Sequence, residues 1–440
     1  MSKALIAGLG QTGVACARHL AQRGWQLTVT DSRAQPPGLA ALRECAPAAR
    51  LALGGLSVEA LRGVDLVVAS PGLSLSEPLF ASARTAGIEI VGDIELFARA
   101  ARAPVVGITG TNGKSTVTSL LGRMASRSGR RVRVGGNLGP PALELLQDEP
   151  ADLYVLELSS FQLEATHSLQ VIAAAVLNLS SDHADRYPDM QAYAAAKARL
   201  FRHCTTAIIN ADDEWVRSMP ADGQKVVRFS LDPASDAEYV LGGADGNRQL
   251  QRHGKNLLPQ SALKLAGLHN AANALAAVAL GDVLGLPTEA MLDELQNFAG
   301  LPHRSQWVAK IRGVCYINDS KGTNVGATLA AVRGLEGTLV LIAGGDGKGQ
   351  DFAPLRDVLR HRVRHIVLIG RDAAQLARAL HGICPLEICD SLPAAVLAAA
   401  RAAQPGDTVL MSPACASLDM FRDYAHRGDV FSDSVQGLAA

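Results

Sequence analysis

The stretch Val105-Val106-Gly107-Ile108-Thr109-Gly110-Thr111-Asn112-Gly113-Lys114-Ser115-Thr116 decides the fold. Its first five residues are apolar or β-branched and read as a buried strand. A glycine-rich turn follows, and a helix is expected from about Lys114. Successive backbone N–H groups in such a turn can wrap a β-phosphate. Lys114 can reach the β- and γ-phosphates, and Ser115 or Thr116 can hold Mg²⁺. The strict phosphate-loop pattern has glycine six places before the lysine, where this chain has Ile108.

Strand, glycine turn and helix recur on both sides of this unit. Upstream, Lys3–Ala7, Gln26–Thr30 and Asp65–Ala69 read as buried strands, with helices over Val14–Arg23 and Leu39–Cys45. Downstream, strands are expected over Asp152–Leu158, Val171–Leu177 and Ala207–Asn210, and helices over Gln191–Arg202 and Asn270–Leu284. Asp213–Asn256 is polar and turn-rich and reads as smaller strands and loops. Thr338–Ala343, His365–Gly370 and Thr408–Ser412 read as further strands. The alternation predicts an α/β protein of parallel sheets. Gly92-Asp93 and Gly300-Leu301-Pro302 mark boundaries. Three domains are expected: a Rossmann-like domain over 1–93, a central phosphate-loop domain with a mixed or parallel sheet over 94–299, and a Rossmann-like domain over 300–440.

Length and composition agree. The chain has 440 residues, 48% hydrophobic and 19% charged, which suits about three domains and excludes a disordered chain. Lys plus Arg and Asp plus Glu are both 42, so no basic excess points to nucleic acid or a membrane surface. Seven scattered cysteines without a CxxC pair read as free thiols in a reducing cytosol. The apolar start is interrupted at Gly8 and Gly10, so it reads as strand and turn, not as a signal peptide. A cytoplasmic monomer with no membrane segment is expected.

Two other glycine loops could face phosphate. Gly8-Leu9-Gly10-Gln11-Thr12-Gly13 follows the first strand, and Asp31 lies 18 residues past Gly13. Any diphosphate nucleotide could use that cradle. Gly344-Gly345-Asp346-Gly347-Lys348-Gly349 again follows a strand. Together the three loops fit an enzyme that brings a nucleotide-linked substrate to ATP. Glu157 at a strand end suits Mg²⁺, a hard cation needing oxygen ligands. His183 lies just past another strand, on the ligand side of an α/β sheet. Lys197, among alanines, reads from the residues alone as a solvated helix position.

These motifs resemble the Mur ligases of bacterial peptidoglycan synthesis, in order and along essentially the whole chain. Besides Gly110–Thr116, the resemblance is carried by Glu157-Leu158-Ser159-Ser160-Phe161-Gln162-Leu163-Glu164 and Asp182-His183-Ala184-Asp185-Arg186-Tyr187-Pro188. It continues through His269-Asn270-Ala271-Ala272-Asn273-Ala274, Leu301-Pro302-His303-Arg304 and Asn318-Asp319-Ser320-Lys321-Gly322-Thr323-Asn324. It ends with Gly344–Lys348 and Ser412–Asp419.

The resemblance implies an ATP-dependent amide ligase, closest to the members that add D-glutamate to UDP-N-acetylmuramoyl-L-alanine through an acyl phosphate. It implies catalytic roles for Lys114, Glu157, His183 and Lys197. ATP would be held by Gly110, Thr111, Asn112, Gly113, Lys114, Ser115, Thr116, Asn270, Asn273, Arg304 and Asp319. The UDP substrate would meet Gly10, Gln11, Thr12, Ser32, Arg33, Ser70, Asn137, Ser159 and Gln162. The amino acid would meet Lys321, Thr323, Lys348, Ser417, Leu418 and Tyr424. Two Mg²⁺ ions are implied, one at Ser115 or Thr116 with Glu157, the other at His183 with a carbamylated Lys197. The third domain is expected to swing toward the second when ligands bind. Ser32 and Tyr424 depart from the Thr and Phe expected at those positions. Rival readings stay open at this point: an NAD-dependent oxidoreductase built on the first loop, a silent nucleotide-binding module, another Mur ligase, or a folate polyglutamate ligase.

Overall fold

The computed structural model describes residues 2–438 except Asp148, Asp245, Ala266 and Glu336. Its strands form three sheets. The first contains β1 (Lys3–Ala7), β2 (Gln26–Asp31), β3 (Arg50–Leu53), β4 (Leu66–Ala69) and β5 (Glu89–Val91). All pairs are parallel, in the order β3-β2-β1-β4-β5.

The second sheet contains β6 (Val105–Thr109), β7 (Val132–Gly136), β8 (Leu153–Glu157), β9 (Val171–Val176) and β10 (Cys204–Asn210). It continues through β11 (Lys225–Ser230), β12 (Tyr239–Gly242), β13 (Gln249–Arg252) and β14 (Lys255–Pro259). Nine strands run β14-β13-β12-β11-β10-β9-β6-β8-β7. They are parallel except where β13 pairs antiparallel with β12 and β14. The third sheet contains β15 (Gln306–Ile311), β16 (Val314–Asn318), β17 (Leu339–Gly344), β18 (Val363–Ile369), β19 (Leu386–Ile388) and β20 (Thr408–Met411). Its order is β15-β16-β20-β17-β18-β19, with β15 alone antiparallel to its neighbour.

The expected strands recur with shifts of up to three residues at their ends, the largest at β10, which starts at Cys204 rather than at the expected Ala207. The first helix starts earlier than expected, at Gln11, because the chain turns within Gly8–Gly10 and Gly10 serves as N-cap. A Cβ on Gly13 would overlap the Gly8 carbonyl oxygen, so the turn requires glycine there. The helix expected over Gln191–Arg202 is α-helical over Met190–Ala198 and then tightens into a 3₁₀ turn at Arg199–Phe201.

The apolar core does not follow the sheet boundaries. One continuous cluster joins Ile6, Leu20 and Val29 of the first sheet's layer to Phe97, Leu143, Tyr154 and Leu156 of the second. The third sheet has separate cores on its two faces, around Leu341 and Leu368 and around Val340 and Val409. The first two units are therefore fused by apolar packing, while the third is packed on itself. No helix among the described residues is long and apolar enough to cross a membrane.

Asp31 closes the first glycine turn. Its carboxylate accepts from the backbone N–H of Leu9 (2.7 Å) and Arg33 (2.9 Å), and from both prongs of the Arg33 guanidinium (2.8 Å each). The Arg33 contact holds this carboxyl down at about 2. A depressed carboxyl stabilises the fold above its unfolded value near 3.8, and that contribution fades as pH falls through about 2. Asp31→Asn is expected to cost about 1–3 kcal/mol at pH 7. The urea midpoint measures it, and the gap from the unaltered protein should narrow as pH falls from about 4 toward about 2. Equal midpoints at pH 7 would contradict this role.

Candidate active site

Ligand loops in open α/β sheets lie beyond the carboxyl ends of strands, where strand order reverses. Here the ends of β6, β8 and β9 carry Gly110–Thr116, Glu157 and Asn178–His183. The ends of β16, β17 and β20 carry Asp319–Lys321, Gly344–Lys348 and Ser412–Ser417. Parts of both sets, Asn112, Gly113, Thr116 and Asn178 on one side and Asp319 and Lys321 on the other, line a cleft of about 440 Å³. Gly113, Thr116, Asn270, Asn273, Arg304, Asp319 and Lys321 line it, with Leu177, Phe229 and Leu265 at its apolar end.

The phosphate-type loop is fixed by its neighbours. Asn112 exchanges two hydrogen bonds with the Asn178 side chain, at 2.9 and 3.0 Å. The Thr111 hydroxyl lies 3.3 Å from both the Ser180 carbonyl oxygen and the Tyr193 hydroxyl. Gly113 is left-handed (φ 84°), and a Cβ there would strike the side-chain oxygen Oδ1 of Asn273. The helix Lys114–Arg127 starts at once, so its first N–H groups point into the cleft.

Lys114 Nζ donates back to the carbonyls of Gly110 (2.9 Å) and Thr111 (2.8 Å). Lys197 Nζ donates to the same Gly110 oxygen at 2.9 Å and to Thr109 Oγ1 at 3.4 Å, above the Tyr193 ring. Lys197 is 2% exposed, contrary to the solvated position its alanine context predicts. Burial and then the Lys114 charge push its amine well below the ordinary lysine value. Burial also lowers Lys114, with Glu157 and Asp182 opposing.

Glu157 accepts from the Ser115 hydroxyl and from Asn137 Nδ2 (2.5 Å). Arg304, arriving from the third unit, donates to Ser115 Oγ at 2.6 Å. Among the described residues no group of three or more His, Cys, Asp or Glu side chains gathers closely enough to hold a metal unaided. Ser115 and Glu157 nevertheless supply adjoining oxygen donors, which fit a hard cation completed by phosphate and water oxygens. Burial brings His183 down to about 4, so its imidazole is neutral at pH 7. Its ring packs against Phe161 at 4.7 Å.

Across the cleft, burial lifts the Asp319 carboxyl to about 6, although Ser412 Oγ (2.7 Å) and the Ser305 N–H (3.0 Å) donate to it. Burial and the Arg304 charge lower Lys321 to about 8, and its ammonium sits 3.9 Å from the centre of the Tyr424 ring. Ser417 is buried, while Leu418 is 72% exposed. The Thr323 N–H donates to the Lys321 carbonyl at 2.8 Å, and Lys348 pairs with Asp182. Gly10, Gln11, Thr12, Ser32 and Ser70 cluster beyond β1, β2 and β4, away from the main cleft.

Four of the expected UDP-substrate contacts are engaged within the protein. Arg33 holds Asp31, Asn137 holds Glu157, and Gln162 closes a capping box with Ser159 while donating to buried Asp93 at 3.0 Å. Residue-by-residue reading missed Arg427. It is 1% exposed and donates to Ser320 Oγ and to the carbonyls of Ser320, Cys415 and Ala416, tying two site loops together. No local signal distinguishes it from other helix arginines. Asp182 and Asn324 lie inside the quoted motifs, but only the fold brings them together.

Comparison with known proteins agrees with this geometry. Residues 2–92 match the MurD-like N-terminal domain of Mur ligases, 108–281 the Mur ligase middle domain, and 303–415 the Mur ligase glutamate ligase domain. The chain is 53% identical over 436 residues to the UDP-N-acetylmuramoylalanine--D-glutamate ligase of Nitrosococcus oceani, covering 99% of this chain and 96% of the relative. It is 52% identical over 439 residues to the same-named protein of Methylobacillus flagellatus, covering 99% and 96%. Among solved structures it resembles the UDP-N-acetylmuramate-alanine ligase of Thermotoga maritima, with TM-score 0.64, 20% identity and full coverage of both chains. It also resembles the MurF ligase of Thermotoga maritima in complex with ADP, with TM-score 0.61 and 16% identity, covering 87% and 91%. The chain belongs to the Mur ligase family.

Proposed function

We propose that the chain is an ATP-dependent ligase that joins the amine of D-glutamate to the alanyl carboxylate of UDP-N-acetylmuramoyl-L-alanine. The observation that carries this reading is the shared cleft, with Asn112, Gly113 and Thr116 of the glycine turn and helix start on one wall and Arg304, Asp319 and Lys321 on the other. The names of the full-length relatives support the choice of substrates.

In this reading the phosphates of ATP replace the loop carbonyls as acceptors for Lys114, and Gly110–Thr116 supply the N–H cradle. Asn270, Asn273, Arg304 and Asp319 hold the nucleotide. Ser115, Thr116 and Glu157 would hold one Mg²⁺, and His183 with a carbamylated Lys197 a second. Bound magnesium would neutralise charge on the phosphates. Lys197 suits carbamylation because a neutral amine is the form that adds carbon dioxide, and its burial favours that form. Gly10, Gln11, Thr12, Ser32, Arg33 and Ser70 receive the UDP part. Asn137, Ser159 and Gln162 shape the floor under the muramoyl-alanyl part, Asn137 by fixing Glu157. Lys321, Thr323, Lys348, Ser417, Leu418 and Tyr424 hold the amino acid.

The chemistry then balances in two steps. A carboxylate oxygen attacks the γ-phosphorus as the bond to ADP breaks. The glutamate nitrogen next attacks the acyl carbon, loses a proton, and expels phosphate as the amide forms. Positioning and charge stabilisation supply most of the catalysis in phosphoryl transfer, and closing the cleft keeps water from the acyl phosphate.

Phosphate release from ATP should require UDP-N-acetylmuramoyl-L-alanine together with D-glutamate, and L-glutamate should not replace it. Nicotinamide reduction, or phosphate release indifferent to the amino acid, would count against the reading. Lys114→Ala should lower kcat/KM by about a thousandfold or more, and near-normal turnover would remove the phosphate role. Lys197→Ala should be inactive in the same assay and regain turnover with added short carboxylic acids. Full activity without them would remove the carbamate.

A further inference from the structure

Asp182 and Lys348 meet from different units. Lys348 Nζ donates to Asp182 Oδ1 at 2.8 Å, and Asn324 Nδ2 donates to Asp182 Oδ2 at 3.1 Å. Both members of the ion pair are largely buried, with side chains 8% and 18% exposed. The backbone on each side is built for this meeting. Lys348 is left-handed (φ 52°), its N–H bonds Asp346 Oδ1 at 2.9 Å, and the Gly347 N–H bonds Asp372 Oδ2 at 2.7 Å. On the facing side His183 is left-handed (φ 56°), and its N–H bonds Asp182 Oδ1 at 2.9 Å. Non-glycine residues adopt that conformation only where the surroundings impose it.

We propose that Asp182 is a resident carboxylate that holds Lys348 in place of the amino-acid substrate's carboxylate. Glutamate then binds by exchanging one carboxylate for another at Nζ. This rests on the assignment of Lys348 to the amino-acid site above. A largely buried ammonium is costly without a counter-charge, and Asp182 supplies one until the substrate arrives. Asp182, once displaced, keeps Asn324 and the His183 N–H as partners, so it is not stranded. The exchange makes Asp182 a positioning residue that weakens apparent glutamate affinity in proportion to its occupancy of Lys348.

The test is KM for D-glutamate, at saturating ATP and UDP substrate, for the unaltered protein, Asp182→Asn, Lys348→Ala and the double variant. Asp182→Asn should lower this KM by about three- to tenfold and leave the other two KM values within about twofold. Lys348→Ala should raise it by about tenfold or more, and adding Asp182→Asn to that variant should change nothing further. If a variant turns over too slowly, calorimetric titration of D-glutamate into the four proteins with ADP and the UDP substrate bound reads the same ratios. An unchanged or raised value in Asp182→Asn, with Lys348→Ala still impaired, would overturn the exchange and leave the amino-acid site standing. An undiminished effect of Asp182→Asn in the Lys348→Ala background would also overturn it, since Asp182 would then act as bulk negative charge. Normal glutamate binding by Lys348→Ala would overturn both the exchange and that assignment.

Discussion

One carbonyl oxygen, that of Gly110, accepts hydrogen bonds from two lysines. The two nitrogens therefore lie within about 6 Å of each other, where two unit charges at an effective dielectric near 20 repel by roughly 3 kcal/mol or more. That repulsion disfavours both amines being charged at once. Burial lowers both amines, Lys197 the further, and the Lys114 charge adds to the effect on Lys197. Two lysines far apart in sequence thus meet at one backbone oxygen of the glycine turn. The strand order of the second sheet makes this possible, because β6, β8 and β9 end side by side.

The joints between units differ in kind. A continuous apolar core fuses the first to the second, which ties the first glycine turn to the sheet that carries Glu157. The third unit meets the second at the site through exchangeable polar contacts: Arg304 with Ser115, Lys348 with Asp182, and Asn324 with Asn112. Polar interfaces of this kind permit domain motion, and a charged substrate can compete for their hydrogen bonds. Arg304, Ser115 and Lys348, which make these contacts, are also groups that polyanionic ligands would claim.

Much of this was legible in the sequence. Buried parallel strands announce themselves as short apolar runs, and glycine turns mark where phosphate can approach. The Gly110–Thr116 loop, Glu157 at the end of β8 and the loop after β17 could be read that way. The edges were less legible. β3, β5 and β19 are short and partly exposed, and their residues carry little periodic signal. Lys197 looked like a surface residue because alanines also line helix contacts, and Tyr193 and the β6 turn enclose it only in three dimensions. Arg427 was invisible because its value lies in four hydrogen bonds to loops brought together by β16 and β20. Family resemblance named Asn137 and Gln162 as substrate contacts, but it could not show that both also brace carboxylates within the protein.

The central claim is that an oxygen of the alanyl carboxylate captures the terminal phosphoryl group of ATP. Oxygen-18 in that carboxylate reports the event directly, through mass analysis of the phosphate released in one turnover. Reaction through an acyl phosphate places one labelled oxygen in each phosphate, because the acyl–oxygen bond is the one broken when the amide forms. Unlabelled phosphate from a productive turnover would contradict it.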